Sequence, residues 1–260
     1  SLVGRGEQIV TYLLDSEILK MVSFTGSTYV GRLIAEKCIS SFKRYTLETG
    51  GDNSIIIDAE ADLEEAVEGL VKGFTYNLGQ CCISTTRAYF HKDVYDDCIL
   101  LLRSKLKANL PSRTQNKLAT ISQKTRYREI ISRCQNLSLE SFPISEELSA
   151  WIIYGESEDT SNQELFLPIL NVNVFDDIAE VVDKINMSDT GLASVLYSKN
   201  KFNIDFFINK IEVGRVWINK TFNSNVCLPL SGLKQSGFGS EAGVSGLIAY
   251  SYHKSVTIYK

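Results

Sequence analysis

The fold class is decided by one stretch of the chain, residues 51–91, which reads GDNSIIIDAEADLEEAVEGLVKGFTYNLGQCCISTTRAYFH. Its SIII segment, Ser54 to Ile57, is a short apolar run typical of a buried strand. The apolar residues that follow have the i, i+3, i+4, i+7 spacing of an amphipathic helix, which predicts a helix over residues 63–74. The TRAYFH segment, residues 86–91, alternates like a second strand. The stretch therefore predicts a strand, a helix and a strand in succession.

The same alternation continues on both sides of this stretch. Strands are predicted at residues 20–24, 169–175, 194–198 and 214–219, and helices at residues 30–38, 94–106 and 178–185. This order favours an α/β fold in which helices cover a mostly parallel sheet, with ligands bound beyond the carboxyl ends of the strands. The polar and acidic stretch from Ser138 to Thr160 is interpreted as a long surface excursion.

Composition and charge exclude several function classes. The 260 residues fall between one domain and two, and 44% hydrophobic with 22% charged residues is typical of a folded protein rather than a disordered one. The 27 Lys and Arg against 31 Asp and Glu give a net charge of -4, which argues against a nucleic-acid partner. No apolar run approaches the roughly 20 residues of a membrane-spanning helix, and no signal peptide is recognisable at the start. We expect a cytoplasmic protein without nucleic-acid or membrane partners.

The six cysteines and two histidines do not have the spacing of a metal site. No C-x-x-C pair occurs, so neither a zinc site nor a disulfide framework is expected, and free thiols in a reducing compartment are the simpler interpretation. Cys81 and Cys82 are adjacent, and adjacent cysteines do not easily bridge each other. At least one of them is therefore a candidate for chemistry.

Two motifs on neighbouring connections supply the parts of a thiol reaction. Glu48 lies in LETGG, residues 47–51, and Cys82 ends GQCC, residues 79–82. A carboxylate and a thiol near each other can provide a nucleophile and a base that activates water. Each motif alone is more often structural, because glutamates beside glycines are common in turns and cysteines near helix ends are usually packing residues.

Six strings along the chain give a more specific signal, because they occur in the order and approximate spacing of the aldehyde dehydrogenase superfamily, which this chain resembles. They are FTGSTYVGR (24–32), LETGG (47–51), NLGQCC (77–82), ELFLP (164–168), GRVWIN (214–219) and PLSGLKQSGFG (229–239). The resemblance covers essentially the whole chain and is weakest at residues 106–159. It implies a three-layer, mostly parallel sheet with helices on both faces, preceded by a partial Rossmann-like segment.

The resemblance also implies site residues, position by position. Cys82 corresponds to the catalytic nucleophile, Cys81 to a variable neighbour, and Glu48 to the general base. The remaining positions imply contacts with NAD or NADP. Thr25, Gly26 and Ser27 correspond to the loop and helix start that contact the cofactor, and Glu164 and Phe166 correspond to residues that hold its nicotinamide ribose. No metal ligand is implied. For Asn219, Lys234 and Trp217 we expect structural roles.

Three departures from the family pattern bear on function. Leu167 stands where the family pattern E-x-F-G-P has Gly, which would disturb the nicotinamide pocket. Leu230 and Ser231 stand where the family pattern P-F-G-G has Phe-Gly, which would reshape the substrate tunnel near Tyr76, Asn223 and Cys227. Family members are also about twice this long. We expect residues 1–50 to be the end of a cofactor domain, 51–245 the catalytic domain, and 246–260 a tail whose strand, Ser255 to Tyr259, contributes to a homo-oligomer.

These features leave three functional hypotheses open. The first is NAD(P)-dependent oxidation of a small-molecule aldehyde to a carboxylic acid through a cysteine thiohemiacetal and thioester, performed as part of a longer protein. The second is a shortened fold without oxidoreductase activity that acts as a binding or structural module. The third is cofactor-independent thiol chemistry at Cys82, such as ester hydrolysis. The identity of the aldehyde and the choice between NAD and NADP are not encoded in recognisable residues.

Overall fold

A computed structural model describes residues 3–109, 118–157, 159–223 and 225–260. The helices are α1 (Gly6–Asp15), α2 (Thr28–Ser40), α3 (Leu63–Thr75), α4 (Tyr95–Asn109), α5 (Ile121–Arg133), α6 (Ile178–Asn186), α7 (Lys201–Lys210) and α8 (Gly243–Ala249). The strands are β1 (Met21–Thr25), β2 (Arg44–Glu48), β3 (Asn53–Ile57), β4 (Thr85–His91), β5 (Ser138–Ser145), β6 (Leu148–Tyr154), β7 (Ile169–Phe175), β8 (Thr190–Gly191), β9 (Ala193–Tyr197), β10 (Arg215–Ile218), β11 (Leu233–Lys234) and β12 (Gly237–Phe238).

The main sheet has seven strands in the order β10-β9-β3-β4-β7-β6-β5. Every neighbouring pair is parallel except β5 with β6. The predicted α/β fold with a mostly parallel sheet is therefore confirmed. Among the described residues, no helix is long and apolar enough to cross a membrane.

Central strand β3 shows why the sheet is covered on both faces. All of its residues are buried, and successive side chains of a strand point to opposite faces. Ile55 and Ile57 pack into one core with α3, α4 and α5, whereas Ile56 packs into a second core with α6 and α7. A continuous apolar run is the pattern of a strand buried on both faces, and the three-layer arrangement is confirmed.

A smaller sheet joins the two ends of the described chain. β1 and β2 are parallel, and β12, which lies almost 190 residues after β2, pairs with it in the antiparallel direction. The sheet packs against α1 and α2 through a third core that contains Leu14, Ile34 and Leu47. β1 and β2 of the first segment thus share a sheet with residues 237–238. The domain boundaries stay predictions, and residues 1 and 2 of the first segment lie outside the described residues.

The predicted surface excursion from Ser138 to Thr160 is wrong. Most of it forms the β5–β6 hairpin, which extends the main sheet through the parallel pairing of β6 with β7. Phe142 and Ile144 of β5 and Ala150 and Ile152 of β6 are buried in the larger core. Polar residues alternate with these apolar ones, and β5 is an edge strand, where Pro143 is tolerated. The polarity therefore marks one solvated face of a strand.

The predicted strand from Ser255 to Tyr259 does not form within this single chain, and its pairing in an oligomer stays a prediction. Residues 251–260 form neither helix nor strand and are exposed. A β-prone segment without a neighbouring strand in the same chain has no partner for its backbone hydrogen bonds. A role for the tail in a homo-oligomer stays a prediction.

Three residues with expected structural roles have local contacts that account for them. Trp217 is buried, and its indole N–H donates to the carbonyl of Asn223. The Asn219 side chain both accepts from the backbone N–H and donates to the carbonyl of Ser198. Lys234 forms an ion pair with Glu212 at 2.9 Å.

The hairpin assignment can be tested by cavity formation. Ile152→Ala removes a side chain that is 0% exposed in the core beneath β6, so we expect the free energy of unfolding to fall by about 2–5 kcal/mol. Ile258→Ala, at a position that is 83% exposed, is the matched control and should leave it nearly unchanged. Urea unfolding followed by circular dichroism measures both. Equal stabilities of the two variants would contradict the placement of β6 in the core.

Candidate active site

Glu48, Cys82 and Glu164 lie in three segments that precede strands of the main sheet. Glu48 ends β2, directly before the loop to β3, the loop with Cys82 precedes β4, and the loop with Glu164 precedes β7. These loops lie at the amino ends of the main-sheet strands. The sequence predicts a ligand site beyond the carboxyl ends of the strands. That holds only for the small sheet, where Thr25 and Glu48 are the last residues of β1 and β2. The site therefore lies between the two sheets.

Glu48 is held at the end of β2 between two neighbours. It pairs with Thr25 of β1 on one side and Gly237 of β12 on the other, and its carbonyl accepts from the Gly26 N–H at 3.1 Å. The residue is 5% exposed, and among the described residues its Oε1 has no hydrogen-bond partner. A buried oxygen without a donor is available for a water or a substrate group.

Burial raises the pKa of Glu48 to about 7, with a smaller contribution from the negative charge of Glu241 and an opposing one from Arg215. A carboxyl with a pKa near neutrality is suited to general-base catalysis. Glu241 was missed by the sequence reasoning, although it lies two residues after the PLSGLKQSGFG motif. The Ser23 hydroxyl donates a hydrogen bond to the Glu241 carboxylate.

Residues 235 and 236 fix the backbone that follows Glu48. The N–H of Thr49 donates to the carbonyl of Ser236 at 2.9 Å, and the Thr49 hydroxyl donates to the carbonyl of Gln235 at 2.6 Å. The Ser236 hydroxyl donates to the carbonyl of Gly50 and accepts from the N–H of Gly191. The KQSG string therefore supports the candidate base from the far end of the sequence.

The loop that carries Cys82 begins with an unusual backbone. Asn77, Leu78 and Gly79 all have positive φ, at 47°, 58° and 72°. At Gly79 a side chain would overlap the backbone carbonyl of Leu167, so close approach as well as conformation requires glycine. This close approach brings the loop of Cys82 against the segment that follows Glu164.

Cys81 and Cys82 form a hydrogen-bonded thiol pair. That bond, together with the N–H of Ile83, lowers the pKa of Cys81 to about 6 against the opposing effect of burial. The same bond raises the pKa of Cys82, and burial and the charges of Cys81 and Glu164 add to the effect. Because the thiols are hydrogen-bonded to each other, ionisation of Cys81 makes ionisation of Cys82 harder. Cys81 is therefore more than a sequence neighbour of Cys82.

Glu164 lies against the loop of Glu48. A side chain at Gly50 would overlap its carboxylate, so that glycine makes room for it. Burial raises the pKa of Glu164 to about 7, the Arg126 charge opposes this, and the charge of Cys81 adds to it. Arg126 of α5 donates to the Glu164 carbonyl at 2.7 Å and so holds this loop from outside. Arg126 lies in the stretch where the family resemblance is weakest, and no sequence signal pointed to it.

The remaining cofactor candidates occupy two short segments. Thr25, Gly26 and Ser27 are exposed, and Ser27 caps α2 by accepting from the N–H of Val30 at 3.3 Å. A strand, a tight turn and a helix start are the arrangement that receives phosphate oxygens in dinucleotide sites, so this segment fits such a group. Phe166 has φ 56° and is half-buried two residues after Glu164.

The departures at Leu167 and Leu230 have different consequences. Leu167 is buried in the larger core, so its bulk is accommodated there rather than in an open pocket. Leu230 exchanges two backbone hydrogen bonds with Glu241, each of 2.7 Å. Among the expected tunnel residues, Tyr76 contacts the ring of Phe222, and Cys227 is exposed.

Comparison with known proteins agrees with this arrangement. The sequence matches the model of the aldehyde dehydrogenase family over residues 1–142 and 152–256. The chain belongs to the aldehyde dehydrogenase family. A Gibberella fujikuroi protein with an aldehyde dehydrogenase name, FUS7, is 33% identical over 253 residues, which cover 93% of this chain and 54% of that protein. The predicted resemblance is confirmed.

Solved structures support the aldehyde dehydrogenase fold. An NAD-dependent aldehyde dehydrogenase from Sinorhizobium meliloti superposes with a TM-score of 0.91 at 29% identity, covering 97% of this chain and 53% of the other. An NADP-dependent enzyme from E. coli superposes with a TM-score of 0.89 at 27% identity, covering 96% and 55%. The chain thus spans about half the length of the relatives it matches. The roles of Cys82, Glu48 and the cofactor candidates stay predictions.

The buried state of Glu48 predicts a pH-dependent stability. Its folded pKa is raised, so its contribution is fully present below the unfolded value of about 4.5 and is lost as pH rises through about 7. Glu48→Gln removes this loss, and we expect the variant to gain up to about 3 kcal/mol over the unsubstituted protein at pH 8 and almost nothing at pH 4.

Urea unfolding at several pH values measures the difference. Glu129→Gln, at an exposed position of α5, is the control and should leave the pH profile unchanged. A Glu48→Gln variant that parallels the unsubstituted protein at every pH would show that Glu48 is not held in a buried, protonated state.

Proposed function

We propose that this aldehyde dehydrogenase family chain carries the catalytic groups for NAD(P)-dependent oxidation of an aldehyde to a carboxylic acid, as part of a longer protein. One observation supports this most strongly. The carboxylate of Glu164 packs on Gly50, in the loop of Glu48; its charge adds to the raised pKa of Cys82, and the charge of Cys81 adds to the raised pKa of Glu164. The candidate base, the candidate nucleophile and a candidate cofactor contact therefore share one site.

Cys82 is the proposed nucleophile. Its sulfur, once ionised, attacks the aldehyde carbon to give a thiohemiacetal oxyanion. The negative charges of Cys81 and Glu164 both raise the pKa of Cys82. Any movement of Glu164 away from the thiols therefore favours the reactive thiolate, because it removes a neighbouring negative charge.

NAD or NADP would be held by Thr25, Gly26 and Ser27 on its phosphate side and by Glu164 and Phe166 on its nicotinamide side. When bound, it would supply the hydride acceptor that the oxidation of the Cys82 thiohemiacetal to a thioester requires. The chain's own contribution is to orient the thiol and to keep Glu48 and Glu164 in a buried environment.

Glu48 is the proposed base for the second half of the reaction. Its ionised carboxylate takes a proton from water, the resulting hydroxide attacks the thioester, and the carboxylic acid leaves as the Cys82 sulfur is released. With a pKa of about 7, Glu48 is ionised in half of the molecules near neutral pH. The hydrolysis rate is expected to rise with pH through that value.

The substrate is a small-molecule aldehyde, and the exposed ring of Tyr76 with Phe222 and Trp217 offers an apolar wall for it. We further propose a cytoplasmic location and a homo-oligomer for the full-length protein.

The alternative is a binding or structural module without oxidoreductase activity. It is favoured by Leu167, a buried residue that stands where the family pattern has Gly, directly after the candidate cofactor contact Phe166. Calorimetry of the 260 residues with NAD and NADP separates the two proposals. Saturable binding of either nucleotide counts against the module, whereas its absence for both counts against cofactor binding by this chain alone.

Cys82→Ala should reduce aldehyde oxidation to background, because no other group replaces the thiol that forms the thioester. Cys81→Ala is the matched control, since it alters the adjacent thiol. The Cys81→Ala variant should retain turnover. Because Cys81 no longer raises the pKa of Cys82, the rate of the first step should reach its plateau at a lower pH. NADH formation measures both. Retained oxidation in Cys82→Ala would refute the assignment, and an ester assay without cofactor on the same pair tests the thiol chemistry separately.

Glu48→Gln should separate the two halves of the reaction. The first turnover, which releases NADH as the thioester forms, should proceed, while steady-state turnover falls by about 10²–10⁴-fold because water is no longer activated. Stopped-flow absorbance would then show a burst followed by a slow phase. Equal loss of both phases would contradict a base role confined to hydrolysis.

A further inference from the structure

One buried amide, that of Asn53, touches both loops that carry the candidate catalytic pair. Asn53 is the first residue of β3 and is 3% exposed. Its Nδ2 donates to the carbonyl of Cys82 at 2.7 Å and to the carbonyl of Ser84 at 3.0 Å. The same nitrogen lies 3.3 Å from the carbonyl of Gly51, three residues after Glu48.

The other end of the amide fixes its orientation. Oδ1 of Asn53 accepts from the N–H of Ala193, the first residue of β9, at 3.1 Å. This bond identifies Oδ1 as the acceptor and leaves Nδ2 with its two hydrogens for the three carbonyls. An aspartate in the same place would have the same shape but would present oxygen to three carbonyl oxygens.

We propose that Asn53 is a positioning residue that holds the Cys82 thiol and the Glu48 carboxylate in a fixed relation. It acts through the backbone of both loops and does not touch the reacting atoms. The inference rests on the proposed function for its enzymatic consequence, while its structural consequence, the restraint of the Cys82 loop, is independent of any substrate. Because misplacement of reacting groups by about 1 Å can cost roughly 10²-fold in rate, such a restraint has a measurable effect on turnover.

Neighbouring contacts do not duplicate this restraint. Ser236 and Gln235 hold the backbone after Glu48 but bind nothing in the loop of Cys82 among the bonds of the described residues. Asp52 joins other segments: it accepts from the Thr86 hydroxyl and from the N–H of Asn162. Asn53 thus ties the Cys82 backbone to the segment after Glu48.

The test compares thiol reactivity in Asn53→Ala, Asn53→Asp and a control. Site-resolved mass spectrometry follows iodoacetamide alkylation of Cys82 at pH 8, with exposed Cys227 in the same molecule as the internal reference. We expect alkylation of Cys82 relative to Cys227 to rise about five- to hundredfold in both variants, the range expected when buried carbonyls lose their donor and the loop opens. Asn53→Asp creates no cavity, so it keeps the test decisive if Asn53→Ala folds poorly.

Asn171→Ala is the matched control because Asn171 is also a buried sheet amide, 1% exposed on β7, and bonds Thr86 and Thr160 instead of the two catalytic loops. Its Cys82 alkylation ratio should stay unchanged even where its stability falls. In the protein that oxidises aldehydes, the Asn53 variants should lower kcat by about ten- to hundredfold with little change in KM.

Two results would overturn the proposal, since a rise of about five- to hundredfold is expected. One is a ratio of Cys82 to Cys227 alkylation in the folded Asn53 variants that stays within about twofold of the unsubstituted protein. The other is a rise in Asn171→Ala as large as the rise in the Asn53 variants. If the unsubstituted protein oxidises no aldehyde, the proposed function fails, and the alkylation comparison still decides the role of Asn53.

Discussion

Hydrogen bonds from two adjacent buried side chains, Asp52 and Asn53, hold the candidate site together. Asp52 binds Thr86 of β4 and the N–H of Asn162, near Glu164, and lies 3.1 Å from Arg87. Asn53 binds the backbone on both sides of the catalytic pair. Three loops that are remote in sequence thus converge on the start of one strand. Because these groups are buried, each unmet bond would be costly, and the loop positions are correspondingly well specified.

The site combines this rigid backbone with unfavourable electrostatics. Glu48 and Glu164 are partly desolvated, and each has a pKa raised to about 7, while the charge of Cys81 opposes ionisation of Cys82. Several acidic groups in one poorly solvated place oppose folding, and the apolar cores on both faces of the main sheet offset that cost. Raised pKa values of this kind are frequent where a group must exchange protons near neutral pH.

Much of the fold was predictable because its central strands are apolar and its helices amphipathic. The segments around β3, α3 and β4 follow such patterns, and ordered motifs identified the family and most candidate residues. The β5–β6 hairpin was missed because an edge strand has one polar face, so its alternation resembled an acidic loop. The amino-end position of the loops and the contacts of Asn53, Arg126 and Glu241 depend on long-range pairing, which periodicity does not encode. Asn53 directly follows LETGG and one aspartate, but nothing in that spacing shows which carbonyls its amide meets.

Cys82, and not its hydrogen-bonded neighbour Cys81, is the proposed site of the covalent intermediate. Acid quenching during turnover with an aldehyde and NAD or NADP, followed by tandem mass spectrometry of the peptide that contains both cysteines, tests it directly, because the acid preserves a thioester. We expect an acyl group on Cys82. An acyl group on Cys81, or no acylation of either thiol while acid accumulates, would contradict it.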